Sequence, residues 1–288
     1  MSAGLEVVRA GFLTTVQDEG RFGYAHLGVG RAGALDPPAA RLANRLAGNP
    51  VSEALLETTV TGCAVRPGRA VRAVVGGAPC PVTVDGRPVA WGAVVHVPAG
   101  AVLEAGAATY GLRSYLAFAG GVQPEPVLGS RSADLLSGLG PPQLRDGDVL
   151  PLGPPPAGDV PAAGAVPWPA MPTELVLPVH LGPRHTWFTP AALHTLATAA
   201  FRVSPQSNRI GLRTEGPALE RARAGELPSE GMVLGAVQVP PDGRPVVFLN
   251  DHPTTGGYPV VGVVPESELA AATRADAGTV VRFVLSGR

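Results

Sequence analysis

The sequence contains no lysine, and all 22 of its basic residues are arginine. A biotin or lipoyl carrier needs an acceptor lysine, and a Schiff-base or pyridoxal-phosphate enzyme needs a lysine amine, so this chain belongs to none of these classes. A Walker A loop requires Gly-Lys-Ser or Gly-Lys-Thr, so a P-loop is excluded as well. Arginine must therefore supply any permanent positive charge that a side chain of this protein offers to a ligand.

Cysteine, long apolar runs and net charge are also scarce. Cys63 and Cys80 are too few for a secreted disulfide framework or a cysteine-rich metal site, so we expect a cytoplasmic protein. The sequence has no uninterrupted run of about 18 apolar residues, so no membrane helix is predicted. The net charge is −1 and the pI is near 6.6, and no basic block favours binding to nucleic acid or to an anionic membrane.

Glycine and proline are abundant, with 38 and 32 residues. Hydrophobic residues nevertheless make up 45% of the chain and charged residues only 16%, which is the wrong balance for a disordered protein. Such a composition is typical of tight turns between short strands. It predicts a mainly β fold with a few short helices.

The chain divides at a tract rich in proline, alanine and glycine, residues 151–172, which has neither helical nor strand periodicity and predicts a linker. We expect an N-terminal β domain with one helix at residues 1–150 and a C-terminal β domain at residues 173–288. Asp85-Gly86 and Pro241-Asp242-Gly243 are turn signals between predicted strands.

Three helices are predicted. The first is Pro37–Ala47, with Asp36 as the N-cap and Gly48 as the stop signal. The second begins after Thr189 and places Leu193, Leu196 and Ala197 on one side, and the third lies near Glu266–Arg274. The predicted strands are Val71–Val75, Val82–Val84, Val94–Val97, Tyr115–Ala119, Leu175–Leu181, Val233–Val239, Val246–Leu249 and Thr279–Leu285.

The first concentration of polar residues lies between Thr14 and Tyr24, on a turn bounded by glycines. Thr15, Gln17, Asp18 and Arg21 provide donors and acceptors of the kind that loops present to ligands. The alternative is a polar loop in which the aspartate and the arginine satisfy each other.

The second concentration is the segment Ser204–Gly216. If the segment is extended, Arg209 and Arg213 point to one face and Asn208 to the other. Two arginines on one face form a forked cationic surface that suits carboxylate or phosphate. The alternative is a pair of surface salt bridges.

The third concentration runs from Ser229 to Pro259 and includes Glu230 and Gln238. A stretch rich in glycine, threonine and aspartate after an apolar strand is typical of a ligand loop at a strand end. Asp251 is a candidate Mg²⁺ ligand or general base. The alternative is a structured turn whose hydroxyl groups cap backbone groups.

Motifs in these segments resemble the allophanate hydrolase subunit 2 family, also labelled biotin-dependent carboxyltransferase-like or KipA-like, which includes the C subunit of 5-oxoprolinase. The resemblance covers nearly the whole chain. The motifs that carry it are Gly11–Tyr24, Gly33–Asp36, Ala43–Asn49, Leu55–Glu57, Tyr115–Ala117, Leu128–Ser132, Ser207–Gly211, Gly235–Pro240 and Thr254–Pro259.

This resemblance implies two cyclophilin-like, β-barrel-like domains and a role in an ATP-dependent 5-oxoprolinase. That enzyme opens the lactam of 5-oxo-L-proline to L-glutamate, with ATP as co-substrate and Mg²⁺. The implied partners are a KipI-like B subunit, in direct contact, and a LamB/YcsF-like A subunit. This chain alone would be inactive, and without lysine it carries no biotin.

The resemblance also implies roles for individual residues. Arg209, Asp251 and Glu230 are the expected catalytic residues, with Arg209 as an anion contact and Asp251 as a Mg²⁺ ligand or base. We assign no chemistry to the loop Ser130–Leu144, where the sequence departs from the family pattern. The expected contacts to substrate or nucleotide are Thr15, Gln17, Asp18, Arg21, Asn208, Arg213, Gln238, Thr255 and Tyr258.

Two other functions fit the same family. A regulatory protein that antagonises a kinase inhibitor would bind a homologue of the B subunit without turnover. A carboxyltransferase-like module acting on urea or another amide would need biotin on a separate chain. The sequence leaves open the exact substrate, the stoichiometry and the chain on which ATP binds.

Overall fold

The computed structural model describes residues 4–156, 166–225 and 227–286. The central part of the linker predicted at 151–172, residues 157–165, lies outside the described residues. The prediction of a mainly β protein with a few short helices is confirmed. No described helix is long and apolar enough to cross a membrane.

The chain forms two compact units. Unit 1 consists of Met1–Arg21 and Ala32–Met171, and unit 2 of Phe22–Arg31 and Pro172–Arg288. The strands of unit 1 are β1 Leu5–Arg9, β2 Leu13–Gln17, β3 Leu55–Thr59, β4 Cys63–Pro67, β5 Val71–Gly77, β6 Val82–Val84, β7 Arg87–Val89, β8 Val94–Val97, β9 Leu103–Ala105, β10 Arg113–Phe118 and β11 Val149–Leu150.

Two sheets form unit 1, a six-stranded sheet of order β11-β1-β4-β9-β6-β7 and a five-stranded sheet of order β2-β3-β10-β5-β8. One apolar core takes Leu5 and Val65 from the first sheet and Leu56 and Phe118 from the second. Because side chains alternate along a strand, the residue next to Leu56, Leu55, lies on the other face of the five-stranded sheet.

That other face is covered by helix α1, Pro37–Ala47. The predicted caps are confirmed: the Asp36 side chain accepts a hydrogen bond from the backbone N–H of Ala39, and Gly48 ends the helix in the left-handed conformation with φ 85°. The five-stranded sheet is thus buried on both faces, which explains why all six residues of β10 are buried.

Unit 2 contains a closed barrel of seven strands in the order β12-β19-β16-β17-β14-β13-β20, and a separate two-stranded sheet, β15-β18. The barrel closes where β12 and β20 run parallel. The strands are β12 Glu174–Leu181, β13 Phe201–Val203, β14 Gly211–Glu215, β15 Glu230–Gly231, β16 Ala236–Gln238, β17 Val246–Phe248, β18 Thr255–Gly256, β19 Val260–Val263 and β20 Val280–Ser286.

The barrel interior is aromatic and aliphatic. Alternate residues of β12 and β20 are buried, and Phe283 of β20 contacts Phe201 of β13 edge to face, with ring centroids 5.4 Å apart. Such pairs add to the stabilisation from burial alone. The helices of unit 2 are α2, Pro190–Thr198, and α3, Glu266–Arg274, as predicted.

Two details of the sequence prediction are wrong in unit 2. The apolar side of α2 is formed by Ala192 and Leu196, whereas Ala197 is exposed. The strand predicted from Val233 begins only at Ala236, because Gly235 takes a left-handed φ of 80° and turns the chain. Both predicted turns, by contrast, join neighbouring antiparallel strands.

Candidate functional site

Asp18 follows directly on strand β2 and organises a loop more than a hundred residues away. Its Oδ1 atom accepts hydrogen bonds from the Ser130 hydroxyl (2.6 Å), the Ser132 hydroxyl (2.5 Å) and the backbone N–H of Gly20 (2.8 Å). Its Oδ2 atom accepts from the backbone N–H of Arg131 at 2.6 Å. Hydrogen bonds to an ionised acceptor are short and strong, so this carboxylate fixes the loop.

Arg21 contacts the same loop from the other end of the turn. The side chain is buried, with 2% exposure. Its Nε donates to the carbonyl oxygen of Val127 at 3.1 Å, and its Nη2 donates to the carbonyl oxygen of Ser132. These two bonds hold the backbone of the loop.

Gln17 and Thr15, the other two candidates of this segment, are fully buried in unit 1. The Gln17 Nε2 donates to the Thr15 hydroxyl at 3.0 Å and to the carbonyl oxygen of Ala133 at 3.1 Å. Within the described residues the Gln17 Oε1 atom has no hydrogen-bond partner. A buried amide oxygen without a partner is costly, and such groups often serve function.

The structure therefore gathers the first set of candidates around the segment Ser130–Ala133, to which the sequence analysis assigned no chemistry. The motif Gly129-Ser130-Arg131-Ser132 offers two hydroxyls and was the available signal. Local sequence does not indicate that a carboxylate 112 residues away accepts from the first of them.

Arg209 and Asp251, two of the expected catalytic residues, form a buried ion pair in unit 2. The Arg209 Nε donates to Asp251 Oδ2 at 2.8 Å, and its Nη2 donates to Oδ1 at 2.9 Å. The two side chains are 2% and 0% exposed. This parallel two-bond geometry is the strongest that arginine makes with a carboxylate.

The predicted forked surface of Arg209 and Arg213 is wrong. Strand β14 begins at Gly211, so its two-residue alternation does not extend back to Arg209. The Asn208 Oδ1 atom accepts from the backbone N–H groups of Ile210 and Gly211, which makes a turn before the strand. Arg209 is consequently buried, whereas Arg213 is exposed on the barrel surface.

Mg²⁺ does not fit at Asp251. Both oxygens of this carboxylate accept hydrogen bonds from Arg209, and the side chain is buried. Mg²⁺ needs octahedral oxygen ligands and keeps several waters, for which a guanidinium neighbour is unsuited. Among residues 4–156, 166–225 and 227–286 no group of three or more His, Cys, Asp or Glu side chains could hold a metal ion.

Glu230, the third expected catalytic residue, lies on the short strand β15 and pairs with Arg184. The Arg184 Nε donates to Glu230 Oε2 at 3.0 Å, and its Nη2 donates to Oε1. These hydrogen bonds lower the pKa of Glu230 and raise the pKa of Arg184. Glu230 is therefore ionised at neutral pH and unsuited to act as a general acid.

The Gln238 side chain contacts the backbone of Tyr258 in unit 2. The Gln238 side chain is 7% exposed, and its Nε2 donates to the backbone carbonyl of Tyr258 at 3.3 Å. The phenol ring of Tyr258 is partly exposed and lies 5.9 Å from the guanidinium of Arg221. Arg221 also donates to the carbonyl oxygen of Val239 at 2.8 Å, which fixes its position.

Strand pairing connects these residues. Glu230 pairs with Gly256, and Gly231 with Thr255. Gly256 is also close to Gln238, because a Cβ atom at this glycine would lie 3.0 Å from the Gln238 Nε2. Because Thr255 is opposite Gly231, its side chain lies on the other face of this sheet from Glu230. The β15–β18 site, as we name it, consists of Arg184, Arg221, Glu230, Gln238 and Tyr258.

The chemistry of the β15–β18 site suits a small polar acid or amide. Arg184 and Arg221 carry permanent positive charge, which Glu230 offsets in part, and Gln238 provides a hydrogen-bond donor and acceptor. Sequence reasoning identified three of the five residues, Glu230, Gln238 and Tyr258, and missed Arg184 and Arg221. Arg184 lies in a short 3-10 segment, and no motif indicated its contact with a glutamate 46 residues away.

The two sheets of unit 1 and the closed barrel of unit 2 define a mainly β protein of two units. The chain belongs to the carboxyltransferase domain family, subdomains A and B, which matches residues 27–285. It is 37% identical to the C subunit of 5-oxoprolinase from Escherichia coli (strain K12) over 283 residues, covering 97% of this chain and 90% of the relative. The expected membership of the family that includes this 5-oxoprolinase component is thereby confirmed.

Solved structures of related proteins share the fold of this chain. TTHA0988 superposes with a TM-score of 0.87 and 36% identity over 98% of this chain, which spans 56% of that protein. The Kluyveromyces lactis urea carboxylase superposes with a TM-score of 0.90 and 29% identity over 99% of this chain and 27% of that one. The fold thus also occurs as part of longer proteins.

Proposed function

We propose that this chain is the C subunit of an ATP-dependent 5-oxoprolinase that opens 5-oxo-L-proline to L-glutamate and works with the A and B subunits. The observation that carries the proposal is the match to the Escherichia coli protein, which extends over 97% of this chain and 90% of that one. In this proposal the cyclophilin-like barrel corresponds to the closed barrel of unit 2.

The steps of the ring-opening reaction determine which groups the protein must provide. The lactam carbonyl oxygen attacks the γ-phosphorus of ATP, and ADP leaves. Water then adds to the activated carbon, and the ring C–N bond breaks with protonation of nitrogen to give an acyl phosphate of glutamate. A second water hydrolyses this acyl phosphate, which releases phosphate and leaves the carboxylate of glutamate. Phosphoryl transfer depends on positioning and positive charge more than on covalent participation by protein.

We assign substrate contact to the β15–β18 site. Arg184 is held by Glu230, and Arg221 is held by a backbone carbonyl and by Tyr258, so both cations have fixed orientations. A fixed guanidinium loses little entropy when it binds a carboxylate such as that of 5-oxoproline. Gln238 supplies a donor and an acceptor for the lactam amide, whereas Thr255, on the other face of the β15–β18 sheet, has no part in the site.

Arg209 and Asp251 serve in this proposal as positioning residues. Two donors of Arg209 and both oxygens of Asp251 are engaged with each other. The backbone N–H of Asp251 also donates to the carbonyl oxygen of Arg209 at 3.1 Å, so the pair holds the chain that leads toward Thr255. In unit 1, Asp18 and Arg21 hold the loop Ser130–Ala133 in the same manner. Asn208 shapes the turn before β14, and Arg213 is exposed on the barrel surface, so neither contacts the substrate in this proposal.

A second function is favoured by the structural match to urea carboxylase, with a TM-score of 0.90. In that case the same site would accept urea or another amide, and a carboxyl group would arrive on biotin. Since this chain has no lysine, the biotin must be attached to another protein.

Product identity separates the two proposals. This chain is mixed with the A and B subunits, ATP, Mg²⁺ and 5-oxoproline, and glutamate is quantified as a new primary amine. We expect glutamate to form, and we expect Arg184→Gln to lower its rate by about ten- to a hundredfold. Arg244→Gln, which changes an exposed arginine of the same unit, is the matched control.

Absence of glutamate in the complete mixture, together with urea-dependent ATP consumption when a biotin carrier and its carboxylase are supplied, would replace the first function by the second. Equal rates for Arg184→Gln and the control would remove the β15–β18 site from the proposal while leaving the 5-oxoprolinase function intact.

A further inference from the structure

A cleft in unit 1 contains positive charge that no carboxylate among the described residues neutralises. It has a volume of about 530 Å³ and lies on the five-stranded sheet. We call it the arginine cleft and define it by Arg69, Arg72, His96, Pro98, Pro155 and Pro156. Neither aspartate nor glutamate is among the described residues that line it.

Strand pairing places the basic groups side by side. Arg72 on β5 is the direct partner of His96 on β8, so both side chains emerge on one face of the sheet. On the other side of β5 the backbone N–H of Ala119 donates to the carbonyl oxygen of Arg72. Three adjacent segments of the chain, β8, β5 and the segment at Ala119, thus form the floor of the cleft.

The guanidinium of Arg72 makes no hydrogen bond and no ion pair with any residue in the described part of the chain, and its Nε atom is buried. A buried guanidinium nitrogen has lost its water, and the loss is recovered only when an acceptor reaches it. The position is therefore unfavourable unless something binds.

Arg69 differs in that carbonyl oxygens hold it in place. Its Nη2 donates to Gly153 at 2.5 Å and to Ala119 at 3.4 Å, and its Nη1 donates to Ala70 at 3.3 Å. Carbonyl groups fix the orientation of the guanidinium without cancelling its charge. The described residues that line the cleft consequently carry a net positive charge.

We propose that the arginine cleft binds a small molecule with a phosphate or carboxylate group. Arg72 would donate to the oxyanion and Arg69 would add charge, while the proline rings and Val97 would contact the apolar part of the ligand. The volume matches that of clefts that hold small ligands. This site is additional to the β15–β18 site and does not depend on the 5-oxoprolinase function.

Isothermal titration calorimetry on the full chain tests the proposal, with inorganic phosphate and acetate as separate probes. Ionic strength is kept constant with chloride so that general screening cancels. We expect saturable binding of one anion per chain for at least one of the two probes, and the stronger probe shows which oxyanion the cleft prefers.

Variants locate the binding. Arg72→Gln should weaken it by on the order of ten- to a hundredfold, because charge-assisted hydrogen bonds are lost. Arg72→Lys keeps the charge without the fork and should recover part of the affinity. Arg87→Gln, an exposed arginine on β7, should leave the affinity unchanged. Since the Arg72 side chain makes no hydrogen bond to any residue that the structure describes, the thermal midpoint of Arg72→Gln without ligand should not fall.

Absence of saturable binding for both probes would overturn the proposal, and so would equal affinity in the wild type and Arg72→Gln. If Arg72→Gln does not fold, His96→Ala replaces it, because His96 is exposed and its loss leaves the core intact. Unchanged phosphate and acetate binding in that variant would likewise contradict the assignment.

Discussion

Asp18 accepts four hydrogen bonds with its two carboxylate oxygens, and three of them come from Ser130, Arg131 and Ser132. In Asp18→Asn the new amide N–H₂ must face either the N–H of Arg131 or the groups at Oδ1, and donors oppose donors in both arrangements. We expect a loss of about 1.5–3 kcal/mol in the free energy of unfolding, measured by chemical denaturation.

Glu220→Gln is the control for Asp18→Asn, because Glu220 is an exposed carboxylate in the same chain. It should change the stability by less than about 0.5 kcal/mol. If both variants lost the same small amount, the Asp18 contacts would not hold the loop as described.

The buried pair of Arg209 and Asp251 predicts strongly coupled mutations. Arg209→Met removes the guanidinium that balances the buried Asp251 carboxylate, and Asp251→Leu removes the carboxylate that balances the buried guanidinium, so each single change should cost about 3–5 kcal/mol. The double variant should be more stable than the sum of the singles implies, because both charges of the pair are removed together. Denaturation of all four proteins gives the coupling energy, and a value near zero would contradict the ion pair.

The thiol of Cys63 predicts how stability responds to alkaline pH. Complete burial raises its pKa from the ordinary value of 9.0 to about 12. The unfolded chain therefore loses this proton first, so stability is complete below pH 9 and falls as pH rises from 9 toward 12. Tyr115, whose pKa burial also raises, adds to the fall at higher pH.

The measurement compares unfolding free energies at about pH 8 and about pH 10.5. Cys63 should account for about 2 kcal/mol of the decrease, so the decrease in Cys63→Ala should be smaller by that amount. Because the chain has no lysine, no ammonium side chain titrates in this range and adds to the change in stability. An identical decrease in both proteins would show that the thiol is not protected.

At the scale of elements, helix α1 depends on its C-terminal glycine. Gly48 has φ 85°, and its N–H donates to the carbonyl oxygens of Arg45 and Asn44. In Gly48→Ala a Cβ atom is forced into the left-handed region at a cost of about 1–2 kcal/mol, whereas Gly48→Asn, which tolerates that region, should cost less. Thermal unfolding monitored by circular dichroism distinguishes the two, and equal costs would argue against this reason for the glycine.

Helix α1 could be predicted because its signals are local, with Asp36, Pro37 and Gly48 each acting on residues within one turn. The arrangement of Arg209 could not, since its face depends on where strand β14 begins and its partner lies 42 residues away. The same limit applies to Asp18, whose partners are 112 to 114 residues away. Residue types indicated polar sites, and only the fold shows which side chains meet.

At the scale of the whole molecule, the mainly β class and the family followed from composition and from long motifs that extend over nearly the whole chain. The sequence did not predict the composition of unit 2, because Phe22–Arg31 belongs to this unit although it lies in the first half of the sequence. A short segment within a polar loop carries no compositional signal for such a grouping.

Phosphate release from ATP tests the central claim most directly, with and without 5-oxoproline, for this chain alone and mixed with the A and B subunits. The account predicts release above background only when all three chains and 5-oxoproline are present, and loss of that release when this chain is omitted. Release by the other two chains that does not depend on this one, or no response to 5-oxoproline despite a stable complex, would contradict it.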